Sequence, residues 1–110
     1  MPQVNLAPQA KQDLSEIWAY IADYDENLAT KFLEQVHDKC LKLAAFPEMG
    51  RACHELLINL RTFAIKNYII FYLPIEDGVE ILRVLRGARN IEKLFQETID
   101  AAKEIIDEDN

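Results

Sequence analysis

Between Tyr68 and Arg86 the chain carries two strand-forming runs separated by Asp77-Gly78, and no other stretch constrains the fold as strongly. Tyr68-Ile69-Ile70-Phe71-Tyr72-Leu73 is almost entirely β-branched and aromatic, which suits a strand buried on both faces. Asp77-Gly78 supplies the backbone freedom of a tight turn, and Val79-Glu80-Ile81-Leu82-Arg83-Val84-Leu85-Arg86 forms the return. Arg61-Thr62-Phe63-Ala64-Ile65-Lys66 alternates just upstream, so three consecutive strands are expected to build an antiparallel meander. Regular alternation along the last strand places Arg83 on a face with Ile81 and Leu85, and Arg86 on the opposite face with Leu82 and Val84.

A meander needs a cover, and the N-terminal half supplies one. Val4 and Leu6 alternate with Gln3 and Asn5 in a short opening strand that ends at Pro8, itself suited to the first turn of a helix. Leu14, Ile17, Trp18 and Ile21 then recur at helical spacing, with Lys11, Asp13, Glu16 and Asp23 on the other side. After a polar break from Asp23 to Asn27, Leu28, Phe32, Leu33, Val36, Cys40 and Leu43 mark a second helix, closed by Pro47 and Gly50. Two adjacent helices with a short link form an antiparallel hairpin. The stretch from Arg51 to Leu60 is read as irregular. Asn90 can cap a last helix with Ile91, Leu94, Phe95, Ala102, Ile105 and Ile106 near one face. The order β-α-α-β-β-β-α defines an α+β fold: a small antiparallel sheet under an N-terminal helical hairpin, the first strand at an edge and the second face less fully covered.

At 110 residues, with half of them apolar, the chain is long enough for one core without disulfide or metal support. The Met1-Pro2-Gln3-Val4-Asn5-Leu6 start has no signal-peptide pattern and no apolar run could cross a bilayer, so a cytoplasmic protein with no membrane partner is expected. Cys40 and Cys53 lack zinc-site spacing and read as reduced thiols. A net charge of −7 argues against general nucleic-acid binding. The charge is uneven, however: residues 1–60 sum to −4, residues 61–89 to +2 and residues 90–110 to −5. The middle of the chain is a basic island.

Few residue patterns point to catalysis. Ser15 is the only serine and has no histidine nearby, and Cys53 and His54, being adjacent, should point apart. His37 reads as a surface residue on the second helix. The scattered Gly50, Gly78 and Gly87 make no phosphate cradle; neither a cofactor nor a metal is implied. What remains is the basic set Arg61, Lys66, Arg83, Arg86 and Arg89. An arginine in the middle of an apolar strand requires a carboxylate, phosphate or carbonyl. Two readings stand open: an intramolecular ion pair, or a basic face for a phosphate or an acidic partner.

Taken together, the chain resembles the ParE/RelE superfamily of toxins from bacterial toxin-antitoxin pairs. On the helices the resemblance rests on Ala10-x-x-Asp13-Leu14-x-x-Ile17, Tyr20-Ile21-Ala22 and Ala29-x-x-Phe32. It continues through Pro47-x-x-Gly50-Arg51, Glu55-Leu56, Arg61-x-Phe63 and Tyr68-x-Ile70-x-Tyr72, and ends in Ile81-x-Arg83-Val84-Leu85-Arg86-Gly87-Ala88-Arg89. It implies a toxin domain over residues 1–95; the chain departs from the family, most of whose members end near the position of Phe95, in an acidic helical extension over residues 96–110.

The superfamily has two branches. RelE-like members are ribosome-dependent messenger-RNA endonucleases, whereas ParE-like members poison DNA gyrase and are not known as nucleases. The nucleases usually follow the position of Tyr68 with arginine and carry a late tyrosine or histidine. Ile69 and Phe95 stand here instead, and neither can supply a charge or a proton. The resemblance therefore implies a non-nucleolytic, ParE-like toxin that contacts gyrase and forms a hetero-oligomer with a cognate antitoxin. Its expected contact residues are Arg61, Lys66, Arg83, Arg86, Arg89, Trp18, Tyr20 and Tyr24. The alternatives are a ribonuclease using Arg61, Arg83 and Arg89 with His54 as proton carrier, or an inactive relative that only binds a partner. The position often held by histidine in ParE-like sequences is Arg86 here. The extension is expected to fold onto the open sheet face, to pair its carboxylates with Arg61 and Arg83, or to meet a second copy.

Overall fold

The computed structural model describes residues 2–87 together with Lys93, Gln96, Glu97, Ile99 and Asp100. Its elements are β1 (Gln3–Leu6), α1 (Pro8–Ala22), α2 (Glu26–Ala45), a 3-10 turn (Pro47–Met49), β2 (Arg51–Ala52), β3 (Arg61–Ile65), β4 (Tyr68–Ile75) and β5 (Gly78–Arg86). The five strands form one sheet in the order β1-β5-β4-β3-β2. The meander is antiparallel as expected, while β1 joins β5 in parallel with Gln3 beside Gly78 and Leu6 beside Ile81, which makes the sheet mixed. The five separately described C-terminal residues have helical backbone, except that the rest of the expected last helix, including Asn90, Ile91, Leu94, Phe95, Ala102, Ile105 and Ile106, lies outside the described residues.

Local chemistry sets the element ends. Pro8 occupies the first turn of α1, where its missing N–H costs nothing. Asp25 caps α2 by accepting from the Asn27 and Leu28 amides at 2.8 and 3.3 Å, worth about 1 kcal/mol. The β4–β5 turn puts Asp77 in the left-handed region at φ 62°, and Gly78 follows at φ 154°. Gly78 leaves the room in which the backbone of Gln3 packs; a Cβ there would collide with it.

The hairpin lies across one face of the sheet. Ala10 and Ile17 of α1, with Phe32, Val36, Cys40 and Leu43 of α2, pack on Ile70, Tyr72, Val79, Ile81 and Val84. Full burial of each large side chain contributes about 1.5–3 kcal/mol. The helical stripes differ from the sequence reading at four positions. Trp18 and Leu33 are half-buried outside this core, Leu28 is exposed with Ala29 buried in its place, and Asp13 faces inward. The inward stripe of α1 is Ala10-Asp13-Ile17, a helical spacing in which one member is charged.

The second face has its own cover. Cys53 and Leu60 are buried against Phe71, and Leu56, Leu57, Ile69, Leu73, Leu82 and Leu85 surround them. Of the stretch read as irregular, Arg51 and Ala52 instead form β2 by pairing with Thr62 and Arg61 at the sheet edge, and residues 53–60 close the sheet from below. Ile99 packs into the same cluster, which brings that part of the C-terminal segment onto this face.

A β-bulge separates the two halves of β5. Phe71 pairs with Arg83 and Tyr72 with Ile81, so Leu82 has no opposite number in β4. Ile81 and Val84 therefore both face the helices, whereas Leu82 and Leu85 both face away. Regular alternation had placed Arg83 with Ile81 and Leu82 with Arg86. The extra residue reverses the phase between those pairs.

Candidate functional site

The basic residues of the middle segment fall into three environments. Arg83 is tied to α1: its Nε donates to Asp13 Oδ2 at 2.7 Å and its Nη2 to Asp13 Oδ1 at 2.9 Å. Asp13 Oδ2 also accepts the Val84 amide at 3.0 Å, at the strand edge that β1 leaves open after Leu6 pairs Ile81. The side chains are 18% and 7% exposed, so this is a largely desolvated, two-pronged pair. The Asp13 hydrogen bonds hold the Arg83 guanidinium above its ordinary range against the opposing effect of burial, with Glu97 and Glu16 adding attraction. Of the two readings open for Arg83, the ion pair is the one present.

Arg61 belongs to the opposite side of the sheet. It precedes Phe63 and Ile65 on the helix-facing side of β3, and its Nη1 donates to the carbonyls of Glu48 and Gly50 at 3.1 and 2.7 Å. The Tyr72 hydroxyl completes this anchor by donating to the Pro47 carbonyl at 2.7 Å and accepting from the Gly50 amide at 2.9 Å. Burial pushes the Tyr72 phenol up, partly offset by the Gly50 hydrogen bond and the charge of Arg61. His54 shares a cavity with Arg61. Of the residues grouped for the ribonuclease alternative, His54 and Arg61 border one cavity, Arg83 is held by Asp13 and pairs in register with Phe71, and Arg89 lies outside the described residues.

Lys66 and Arg86 sit together at the β3–β4 turn end. Arg86 is opposite Tyr68, Tyr68 packs its ring 5.1 Å from that of Phe32, and Lys66 Nζ lies 6.0 Å over the same Phe32 ring. Arg86 and Tyr68 also line a cleft of about 260 Å³ with Asp13, Glu16 and Tyr20. Tyr20 meets Tyr24 edge to face with centroids 6.1 Å apart, yet the two are 52% and 80% exposed. Leu28, in the first turn of α2, is 54% exposed as well. Trp18 lies around the hairpin in a groove of about 290 Å³ with Thr30, Leu33, Glu34 and His37. Tyr20 and Tyr68 thus line the cleft at the cationic end of the sheet, while Trp18 belongs to a separate groove of the hairpin.

The Cys53 thiol points into the second cluster, with Arg51 O at 3.8 Å and Thr62 Oγ1 at 3.7 Å. His54 turns outward and accepts the Asn59 amide at 3.2 Å. The adjacent residues do point apart. Ser15 is exposed. Among the described residues no group of three His, Cys, Asp or Glu side chains could hold a metal ion, and no helix is long and apolar enough to cross a membrane. Sequence reasoning missed Asp13 because it assigns that residue to the polar side of the first helix with Lys11 and Glu16. The available signal was an arginine inside an apolar strand, which demands a carboxylate nearby.

Comparison with known proteins places these features in context. The sequence model of the family described as "ParE toxin of type II toxin-antitoxin system, parDE" matches residues 4–91. Toxin ParE1 of Mycobacterium tuberculosis is 28% identical over 90 residues, covering 80% of this chain and 92% of the relative. Toxin ParE3 of Caulobacter vibrioides is 34% identical over 64 residues, covering 58% and 64% respectively. A solved structure of the chromosomal ParDE TA system from P. aeruginosa shares the fold with a TM-score of 0.64 at 18% identity, covering 78% of this chain and 96% of that one.

Proposed function

The chain belongs to the ParE toxin family of type II toxin-antitoxin systems, and from that premise we propose that it arrests bacterial growth in the cytoplasm by protein contact with DNA gyrase and is neutralised by a cognate antitoxin. The observation that carries the non-nucleolytic part is the divergence of its strand arginines. A ribonuclease needs cations and a proton carrier gathered at one scissile phosphate. Here Arg83 is neutralised by Asp13, and Arg61 is anchored to the turn after α2 on the other side of the sheet.

The antitoxin site proposed is the hairpin surface running from Tyr24 and Tyr20 to the cleft beside Arg86. An amphipathic segment laid there gains apolar burial on the tyrosines and Leu28, and its carboxylates meet Arg86 and Lys66. Trp18 contributes from the neighbouring groove. Arg61, Arg83 and Arg89 complete the positive field of the middle segment; Arg83 acts there as a held residue, not a free cation. The toxin-antitoxin complex is then a hetero-oligomer.

The test is induced expression in bacteria lacking any antitoxin, with growth, reporter-plasmid supercoiling and messenger-RNA integrity followed together. Growth arrest with broken or relaxed DNA and intact RNA is expected. Arrest with cleaved RNA overturns the reading in favour of a nuclease, and unimpaired growth overturns it in favour of a partner-binding relative.

A further inference from the structure

A cavity of about 670 Å³ opens at the far end of the sheet from the Arg86 cleft, between the turn after α2 and the edge of the meander. Phe46, Pro47 and Pro74 form its apolar walls, and Glu48, His54 and Arg61 its polar ones. Phe46 caps α2 with a non-helical backbone (φ −132°, ψ 74°) and is 67% exposed, an unusual position for a phenyl ring with no partner ring among the described residues. The two carbonyls bound to Arg61 Nη1 hold the guanidinium in place, while Nη2 and Nε have no protein partner among the described residues. His54 Nδ1 accepts the Asn59 amide, so the neutral ring carries its proton on Nε2. Asn59 adopts a left-handed backbone, φ 70°, to make that bond.

The charge of this cavity selects among anions. Arg61 brings one fixed positive charge, and Glu48, an exposed acidic residue whose carbonyl Arg61 holds, lines the same cavity. A phosphate dianion would meet Glu48 with net repulsion. A monoanion with its own N–H donor fits better, since the anion takes the free donors of Arg61 and His54 and the N–H takes Glu48. An aromatic or apolar body attached to that anion covers Phe46 and the prolines. We propose that this cavity binds the C-terminal residue of a polypeptide with an aromatic or large apolar side chain, its α-carboxylate on Arg61 and His54 and its amide N–H on Glu48. The cavity shares no lining residue with the Tyr20–Arg86 cleft, although Arg61 also belongs to the wider positive field, and its ligand does not depend on which protein the chain arrests.

The experiment is amide-resolved NMR titration of the full chain with N-acetyl-L-phenylalanine, its C-terminal amide, phenyl phosphate and the free-acid peptide acetyl-Gly-Gly-Phe. The acid is expected to shift the amides of Glu48, His54, Asn59 and Arg61, saturating in roughly the millimolar range for a ligand of this size. The amide-capped form should bind about tenfold more weakly, because it leaves the cation unpaired. Phe46→Ala, at an exposed position, should weaken the acid about fivefold with an unchanged melting temperature. The peptide binding more tightly than the free acid supports a polypeptide end. Equal binding of the acid and its amide, tighter binding of phenyl phosphate, a free acid that outcompetes the peptide, or shifts located elsewhere would overturn the proposal.

Discussion

Asp13 of α1 and Arg83 of β5, seventy residues apart in the chain, form a two-pronged ion pair whose carboxylate also terminates the open edge of β5 at the Val84 amide. One side chain thus docks a helix on a sheet, pairs a charge that the strand could not bury alone, and satisfies a backbone donor that β1 does not reach. The bulge at Leu82 makes this possible. It removes Arg83 from the helix-facing register of Ile81, so the guanidinium reaches Asp13 around the sheet edge while Val84 fills the core.

Removing that carboxylate should be expensive. Asp13→Ala strands a largely buried guanidinium and an unpaired amide, and is expected to lower stability by about 3 kcal/mol in urea unfolding. The double variant Asp13→Leu with Arg83→Met should recover part of the loss, because no charge is then left unpaired. A double variant no more stable than Asp13→Ala would show that the pair matters for something other than charge compensation.

Alkaline pH should weaken the fold. Burial raises the Cys40 thiol from 9.0 to about 11, and it raises the Tyr72 phenol above 10.0. Both groups keep their protons longer in the folded than in the unfolded chain. The stability they contribute is full below the unfolded values and falls as pH rises from about 9 through 11. The Cys40 share is on the order of 2–3 kcal/mol across that window. Cys40→Ala should therefore flatten the fall in melting temperature between these pH values, even though it lowers the starting stability by leaving space in the core.

Gly78→Ala tests the β1 edge. A methyl group there meets the Gln3 backbone, and φ 154° disfavours any L side chain. The expected cost is roughly 2 kcal/mol, with faster hydrogen exchange at the Gln3 and Ala7 amides that bond Asp77 and Ile81. Exchange that accelerates equally throughout the sheet would mean that β1 is not a separable element.

The proposed antitoxin surface makes a binding prediction that leaves the fold alone. Tyr24→Ala and Arg86→Glu alter exposed side chains, so melting temperatures should move little. Affinity for the antitoxin, measured by calorimetry, should fall by about 2 kcal/mol for the tyrosine if it anchors the interface. The charge reversal should slow association and lessen its salt dependence. Unchanged affinity in both variants would move the antitoxin elsewhere on the molecule.

The meander, the hairpin and their stacking were legible in the sequence because each depends on a local period: two for the strands, 3.6 for the helices. Asp77-Gly78, Pro8 and Asp25 mark their own turns and caps through chemistry that acts within a few residues. The family motifs extend over the same elements, which explains why the match covers residues 4–91. The site was less legible. The outward position of Leu28 and the half-burial of Trp18 depend on how two helices rotate against one sheet, and a stripe of apolar residues leaves that rotation loose by about one position.

The α+β class, the helical hairpin, the three-strand meander and the need of Arg83 for a polar partner could be read from the chain alone, since they follow from periodicity, turn chemistry and the cost of burying an unpaired ion. The family followed from its resemblance motifs, while the two-residue strand β2 was too short to leave a period. Only the tertiary structure decided which carboxylate answers Arg83, because the pairing spans seventy residues and depends on a one-residue bulge that leaves no pattern in the chain. It also decided that Arg61 and Arg83 face opposite sides, that the irregular stretch from Cys53 to Leu60 closes the second face, and that Phe46, His54 and Arg61 border one cavity. Each of these is a relation between residues distant in sequence, set by register and packing.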